Sequence, residues 1–483
     1  MSPDDPPTGP DAPSLDGVSA SPVTGACPRI LIVGGGYVGL YTALRLQRKL
    51  KPGEAQVTVV DPRSYMTYQP FLPEAAAGSL EPRHVVVSLR RELHRSRVIN
   101  GRVSAISHRD RTVSVQPEVG EAFTLSYDHL VVALGSVART LPVPGLREVG
   151  IGFKQVEEAI ALRNHILERL DVAASVEDPA VRARALTFVF VGGGYAGTEA
   201  IAELEDMARA AIAFHAGLET GDLRFVLVEA SGRILPEVRE EMGVYTVAQL
   251  RSRGIDVRLQ TRLESCVDGE VVLSDGTRFS ADTVVWTAGV KANPVLRSTD
   301  LPLDERGRLR CAPTLQAVSD HGVLDGVWGA GDSAGVPDLT GPPGAFCSPS
   351  AQHAVRQARV LGDNIAARLR GAEPAEYRHR HVGSVASLGL HRGVADVYGL
   401  KVKGLPAWFM HRTYHMSRMP TFNRKVRIVL DWTLALFFRR ELVALGRLHD
   451  PYAEFRSAAQ TPSASTETSA VEQSRTTASP SPP

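Results

Sequence analysis

Cysteine is scarce in this chain and follows no pattern. Cys27, Cys266, Cys311 and Cys347 lie far apart, with neither a CxxC pair nor a metal-ligand spacing. A disulfide scaffold and a structural metal site are therefore not expected, and the compartment should be reducing. Also missing is any imbalance of charge: Lys plus Arg number 54 against 53 Asp plus Glu. No global field draws the chain to nucleic acid, so any electrostatic attraction must be local. No run approaches the roughly 18 uninterrupted apolar residues of a spanning helix, and membrane contact should be peripheral. The first 28 residues hold Asp4, Asp5, Asp11 and Asp16 but no Lys or Arg. That is unlike the basic start of a signal peptide and reads as a disordered tail.

What is present is glycine in two matching places. The 483 residues, 43% hydrophobic and 22% charged, suit a globular protein of two or three domains. Arg29-Ile-Leu-Ile-Val-Gly-Gly-Gly-Tyr-Val-Gly39 runs from an apolar strand through glycines into the helical pattern Leu40 to Leu50. A second strand, Val57 to Asp61, follows. The order returns in Leu186-Thr-Phe-Val-Phe-Val-Gly-Gly-Gly-Tyr-Ala-Gly197, a helix through about Ala213, and the strand Arg224 to Glu229. Strand, glycine turn, helix and parallel strand repeated in this way predict an α/β chain with two Rossmann-like, doubly wound domains that take different ligands.

In such a turn the first glycine (Gly34, Gly192) permits the bend. The second (Gly36, Gly194) lets backbone approach a pyrophosphate, and the third (Gly39, Gly197) lets helix and strand pack closely. The pyrophosphate then meets the positive end of the helix. Asp61 and Glu229, each at the end of the next strand, are placed to accept hydrogen bonds from ribose hydroxyls. At Glu229 a carboxylate favours the diol of NADH and opposes the 2′-phosphate of NADPH. Glu199 sits in the first turn of the second helix, near the mouth between the domains. Tyr127 to Gly135 and Asp282 to Gly289 are corresponding strands that end in small residues, and Gly326 to Asp332 delivers an Asp at a strand end. A helix from about Ser350 to Leu369 follows.

These motifs, in this order, resemble the pyridine nucleotide-disulfide oxidoreductase superfamily and, within it, type II NADH:quinone dehydrogenases. Where disulfide reductases of the superfamily carry a redox CxxxxC, this chain has Tyr65-Met-Thr-Tyr-Gln-Pro-Phe-Leu-Pro-Glu74, similar to the cysteine-free stretch of the type II enzymes. Further matches are Arg233-Ile-Leu-Pro236, Trp286-Thr-Ala-Gly-Val290, Ala351-Gln-x-Ala354 and Gly383-Ser-Val-Ala-Ser-Leu-Gly389, so that the resemblance spans roughly residues 29 to 445.

The resemblance implies FAD on Gly34, Gly36, Gly39, Asp61, Ala133, Gly135 and Asp332. It implies NADH on Gly192, Gly194, Gly197, Glu229 and Gly289, with Glu199 beside the nicotinamide. Gln352 would line a quinone site. It further implies NADH oxidation with two electrons passed to a quinone, without proton pumping and without a metal. Two departures bear on the acceptor: Arg356 stands where the family commonly has a second Gln, and Val382 where a Lys often precedes the Gly-Ser step. Gln352 and Arg356 share a helix face, where a cation near a helix start would stabilise negative charge on a reduced flavin or quinol anion. A surface Arg paired with an acidic neighbour is the plainer alternative.

The expected boundaries are a tail over 1–28, the FAD domain over 29–155 completed by 299–370, and the NADH domain over 156–298. A helical, membrane-associating segment over 371–456 and a Ser/Thr/Pro-rich tail over 457–483 complete the chain. From Lys401 to Arg440 that segment carries Lys401, Lys403, Arg412, Arg418, Arg424, Lys425, Arg427, Arg439 and Arg440 but only Asp431 as an acid. Trp408, Phe409, Met410, Trp432, Leu434, Leu436, Phe437 and Phe438 lie between them. Basic residues among aromatic and aliphatic ones suggest interfacial helices on an anionic membrane surface, peripheral on the cytoplasmic, inner face of the cell membrane. A helical cap packed on the body, or on a second subunit in a homodimer, is the alternative. Two other functions stay open: a soluble NADH:acceptor flavoprotein reductase, and a redox sensor with little turnover.

Overall fold

The computed structural model describes residues 27–379, 383–438 and 440–444. Val382, Arg439 and almost all of both expected tails lie outside them. Along the chain, β1 (Arg29–Val33), α1 (Tyr37–Lys49) and β2 (Gln56–Asp61) form the first glycine unit. The short α2 (Leu72–Ala76), β3 (Arg97–Asn100) and β4 (His129–Val132) follow. Next come β5 (Gly150–Gly152), α3 (Val156–Ser175), β6 (Thr187–Val191), α4 (Tyr195–Ile212), β7 (Arg224–Val228), β8 (Asp256–Arg258) and β9 (Thr283–Trp286). The chain then returns with β10 (Gln316–Ser319), β11 (Gly322–Gly329) and α5 (Ala351–Leu369).

Two sheets result. The first has the order β10-β11-β4-β1-β2-β3, with β10 antiparallel and the others parallel. The second, β5-β9-β6-β7-β8, is parallel throughout. Continuous apolar strands such as Thr187–Val191, buried along their whole length, are what a parallel sheet covered on both faces requires. In each sheet the strand that feeds the glycine turn lies between the next parallel strand and a later one. A crevice therefore opens at its carboxyl end, where ligands of such sheets bind. β5 pairs with β9, so the second sheet begins a few residues before the boundary expected at 155. That three-residue edge strand has no hydrophobic period to announce it.

The segment after α5 is not purely helical, contrary to expectation. A three-stranded antiparallel sheet, β12 (Gly383–Ser387), β13 (Gly393–Val397) and β14 (Leu400–Lys403), precedes α6 (Leu405–Arg418) and α7 (Phe422–Leu434). A Cβ on Gly393 would lie 2.7 Å from Trp408 N, so glycine there lets α6 lie close against the sheet. Arg239–Asp396 at 2.9 Å and Lys401–Glu241 fasten the segment to the second unit. His84–Asp431 at 2.6 Å fastens α7 to the first. Among the described residues, no helix is long and apolar enough to cross a membrane.

Candidate active site

The two glycine turns have matching local geometry. Gly34 (φ +105°) and Gly192 (φ +114°) hold a backbone conformation that side chains oppose. A Cβ on Gly39 would fall 1.8 Å from Gly34 O, and one on Gly197 would fall 2.0 Å from Gly192 O. Gly36 and Gly194 differ: a Cβ on either meets nothing within 4 Å. The open space in front of each helix is therefore where a side chain would stand if a ligand's phosphates did not. No side chain caps α1 or α4, and neither has an acid in its first turn: Glu199, expected there, is the fifth residue of α4 and falls in the second turn, because the helix begins only at Tyr195. The helix N–H groups and positive dipole end are left for an anion.

The strand-end carboxylates close both turns. Asp61 accepts from Gly35 N at 2.6 Å and Arg63 N at 2.7 Å. Glu229 accepts from Gly193 N at 2.6 Å and Ser231 N at 2.7 Å. Each carboxylate is thus fixed beside the turn with lone pairs to spare for a diol. Burial pushes the Asp61 carboxyl above its ordinary range, against the pull of those two N–H groups.

Asp332 stands in the turn Gly331–Ser333, just past β11. Its Oδ2 accepts from Ser136 Oγ at 2.6 Å, and Ser136 Oγ in turn accepts from Lys154 Nζ. Burial lowers the Lys154 ammonium from its usual range, with Asp332 and Glu158 acting the other way. Ala133 is buried at the end of β4, while Gly135 (φ +64°) and Gly289 (φ +87°) border open space. These groups fit a dinucleotide: backbone and small residues for the phosphates, and a carboxylate with a nearby cation for a polyhydroxyl chain. Motif reading missed Lys154 and Ser136, since neither belongs to a pattern.

Gln352 and Arg356 lie on the first turns of α5, whose Ser350 cap accepts from His353 N at 3.2 Å. Gln352 Oε1 is 3.1 Å from His379 Nε2, and Arg356 Nη1 donates to Gln352 O at 3.1 Å. Gln357, next along, accepts from Gly331 N at 2.7 Å and ties α5 to the Asp332 turn.

Glu199 belongs to a buried cluster that sequence reading did not foresee. It is 6% exposed. Its Oε1 accepts from Ser387 N at 2.9 Å and lies 3.1 Å from His411 Nε2 on α6. One turn on, Glu203 accepts from Ser387 Oγ at 2.9 Å and lies 4.0 Å from Arg440. Glu74, on α2, accepts from Trp432 Nε1 at 3.0 Å and pairs with Arg412 at 3.2 Å. The Arg412 guanidinium is stacked over the Trp408 ring at 4.0 Å. Arg412, Trp432 and Arg440 therefore face inward, and Lys401 is spent on Glu241. These members of the expected interfacial set serve the cap instead. Burial lowers His411, but Glu199, with Glu74 and Glu203 beyond it, more than offsets this, and its pKa is raised. His415, at 4.6 Å between ring centroids, is pushed well down by burial and by His411. The spacing of His411 and His415, one helical turn, was the available signal.

The outer face of the same helices, continued by the turn after α7, is apolar. Phe409, Phe422, Leu430, Leu434, Leu436, Phe437 and Phe438 are exposed, Phe422 to 81%. Arg424, Lys425 and Arg427 stand on α7 among them. All four cysteines are free.

The pyridine nucleotide-disulphide oxidoreductase family matches residues 28–358. A type II NADH:quinone oxidoreductase of Mycobacterium tuberculosis is 27% identical over 427 residues, covering 85% of this chain and 89% of that protein. The demethylphylloquinone reductase NdbB of Synechocystis is 29% identical over 419 residues, covering 85% and 96%. The structure of NDH2 from Plasmodium falciparum in complex with NADH superposes with a TM-score of 0.79 over 86% of this chain and 99% of that one. At 16% identity, that likeness speaks for the fold.

Proposed function

The chain belongs to the pyridine nucleotide-disulphide oxidoreductase family, and from that premise we propose that it is an FAD-dependent NADH dehydrogenase passing two electrons to a quinone at a membrane surface. The observation that carries this reading is the pair of glycine turns, each closed by its own strand-end carboxylate and each open in front of its helix. The relatives named for NADH and quinone chemistry, matched over most of their length, support the choice of donor and acceptor.

Gly34, Gly36, Gly39, Asp61, Ala133, Gly135 and Asp332 would hold FAD, with Ser136 and Lys154 fixing the Asp332 carboxylate. Gly192, Gly194, Gly197, Glu229 and Gly289 would hold NADH. Bound there, FAD would supply the two-electron exchange between donor and acceptor. The chain's own contribution is to orient the nicotinamide, to exclude water with α2 and α6, and to place Glu199 beside the reacting groups. Gln352 offers the acceptor a hydrogen-bonding amide, and Arg356 a nearby cation.

Attachment to an anionic leaflet, on the inner face of the cell membrane, is the reading of α6 and α7 that their exposed apolar face favours. Each Lys or Arg near such a surface contributes about 1 kcal/mol. The test is steady-state NADH oxidation with several quinones, with and without anionic vesicles. Turnover with quinone that rises on vesicles is expected. A protein that forms a lasting reduced-flavin complex yet turns over no quinone would contradict the proposal.

A further inference from the structure

Reduction of a quinone by NADH does not balance in protons on hydride alone. NADH + H⁺ + quinone gives NAD⁺ + quinol, so the hydride brings two electrons and one proton, and a second proton must come from the protein or solvent. On the reading above Glu199 stands beside the reacting groups, and its partner is a buried histidine. His411 reaches Glu199 from a different part of the chain, is 1% exposed, and approaches to 3.1 Å without being aligned as a hydrogen bond. Its other ring nitrogen, Nδ1, has no hydrogen-bond partner among the described residues.

The surrounding charges favour a proton on this ring. Glu74 has Arg412 as its cation and Glu203 has Arg440 nearby, which leaves Glu199 with His411. On its own helix, His411 faces His415, whose Nδ1 lies 3.4 Å from Tyr68 OH. Burial and the neighbouring ring push His415 well below its ordinary value, while Glu199 raises His411, so of the two rings His411 is the one that favours a proton.

We propose that His411 is a positioning residue that stores the second proton of acceptor reduction and delivers it through Glu199. The N–H bond of His411 breaks as a proton passes to a Glu199 oxygen. The O–H bond formed there breaks as the proton passes to a quinone oxygen, and solvent reprotonates His411. This rests on the reading of the site as the meeting place of NADH and a quinone.

The experiment uses the FAD-loaded full chain and follows the two half-reactions separately by rapid mixing, with a short-chain water-soluble quinone as acceptor. In the unmodified protein, flavin reoxidation is constant at low pH and falls about tenfold per pH unit above an inflection that lies higher than the ordinary histidine value of about 6.5. His411→Gln slows reoxidation and removes the inflection. His411→Lys keeps a titrating cation and moves the inflection upward. Ring-¹⁵N histidine NMR reads the pair without turnover: the resonance lost in His411→Gln titrates above about 6.5 in the unmodified protein and drops in Glu199→Gln. An unchanged inflection in His411→Gln, or a His411 ring already neutral below its ordinary value, overturns the inference. Failure of NADH to reduce the flavin at all would overturn the reading of the site, and the inference with it.

Discussion

The two glycine units can be laid over one another residue by residue, and their first difference of consequence comes two positions past the third glycine. There the first unit has Tyr41 and the second has Glu199. One helix, α6, touches both: Tyr41 OH donates to Arg418 O at 3.1 Å, and Glu199 meets His411 at 3.1 Å. Backbone geometry around the phosphates is shared because it is set by sterics that any dinucleotide imposes. Chemistry beyond the phosphates is not shared. A unit that keeps its ligand bound can be sealed with a neutral phenol, which burial pushes up to about 12. On the proposed reading the second unit, whose ligand would arrive and leave during turnover, has the Glu199–His411 contact there instead.

The largest expected effect lies where α6 is tied to the first unit. Replacing Arg412 with Leu leaves the Glu74 carboxylate, 1% exposed, without its cation. Removing one partner of a buried pair costs about 3–5 kcal/mol, so denaturant unfolding of the purified protein should shift by that amount. A loss under about 1 kcal/mol would mean that Trp432 and water suffice, as for an exposed pair. A smaller effect is expected at Glu229, which sharpens the contrast between the ligands. Like charges about 4 Å apart cost between about 1 kcal/mol in water and about 4 kcal/mol at an effective dielectric near 20. Glu229→Gln should therefore narrow the preference for NADH over NADPH by roughly fivefold to several hundredfold in kcat/KM. Equal use of both nucleotides by the unmodified protein would refute the role given to that carboxylate.

Both units were legible in the sequence because a glycine turn and a strand-end acid obey local rules at fixed spacing. Asp61 and Glu229 meet their turns as that spacing requires. The inner face of α6 was not legible. Arg412 and Arg418 look alike in a sequence, yet Arg412 is stacked on Trp408 and paired with Glu74, while Arg418 lies at the exposed end of the helix. Only tertiary contact separates a solvated cation from a buried one. Glu74 was visible as an acid beside the apolar Phe71-Leu72-Pro73, but its partners come from residues more than 300 positions away. β12 to β14 were missed for a related reason: strands of four or five residues carry too little pattern to compete with the basic, aromatic composition that surrounds them.

The central claim is that one scaffold, used twice, holds a resident flavin in its first unit and an exchanging NADH in its second. Gly36→Val and Gly194→Val test it as a pair. In each the new Cβ enters open space, so the fold survives while the approach of a pyrophosphate is blocked. Flavin content per chain and the rate of flavin reduction by NADH are then measured on both. The account predicts that Gly36→Val loses its flavin, and that Gly194→Val keeps it but needs far more NADH to reduce it. Flavin retained in Gly36→Val, or lost in Gly194→Val, would contradict the assignment of the two units.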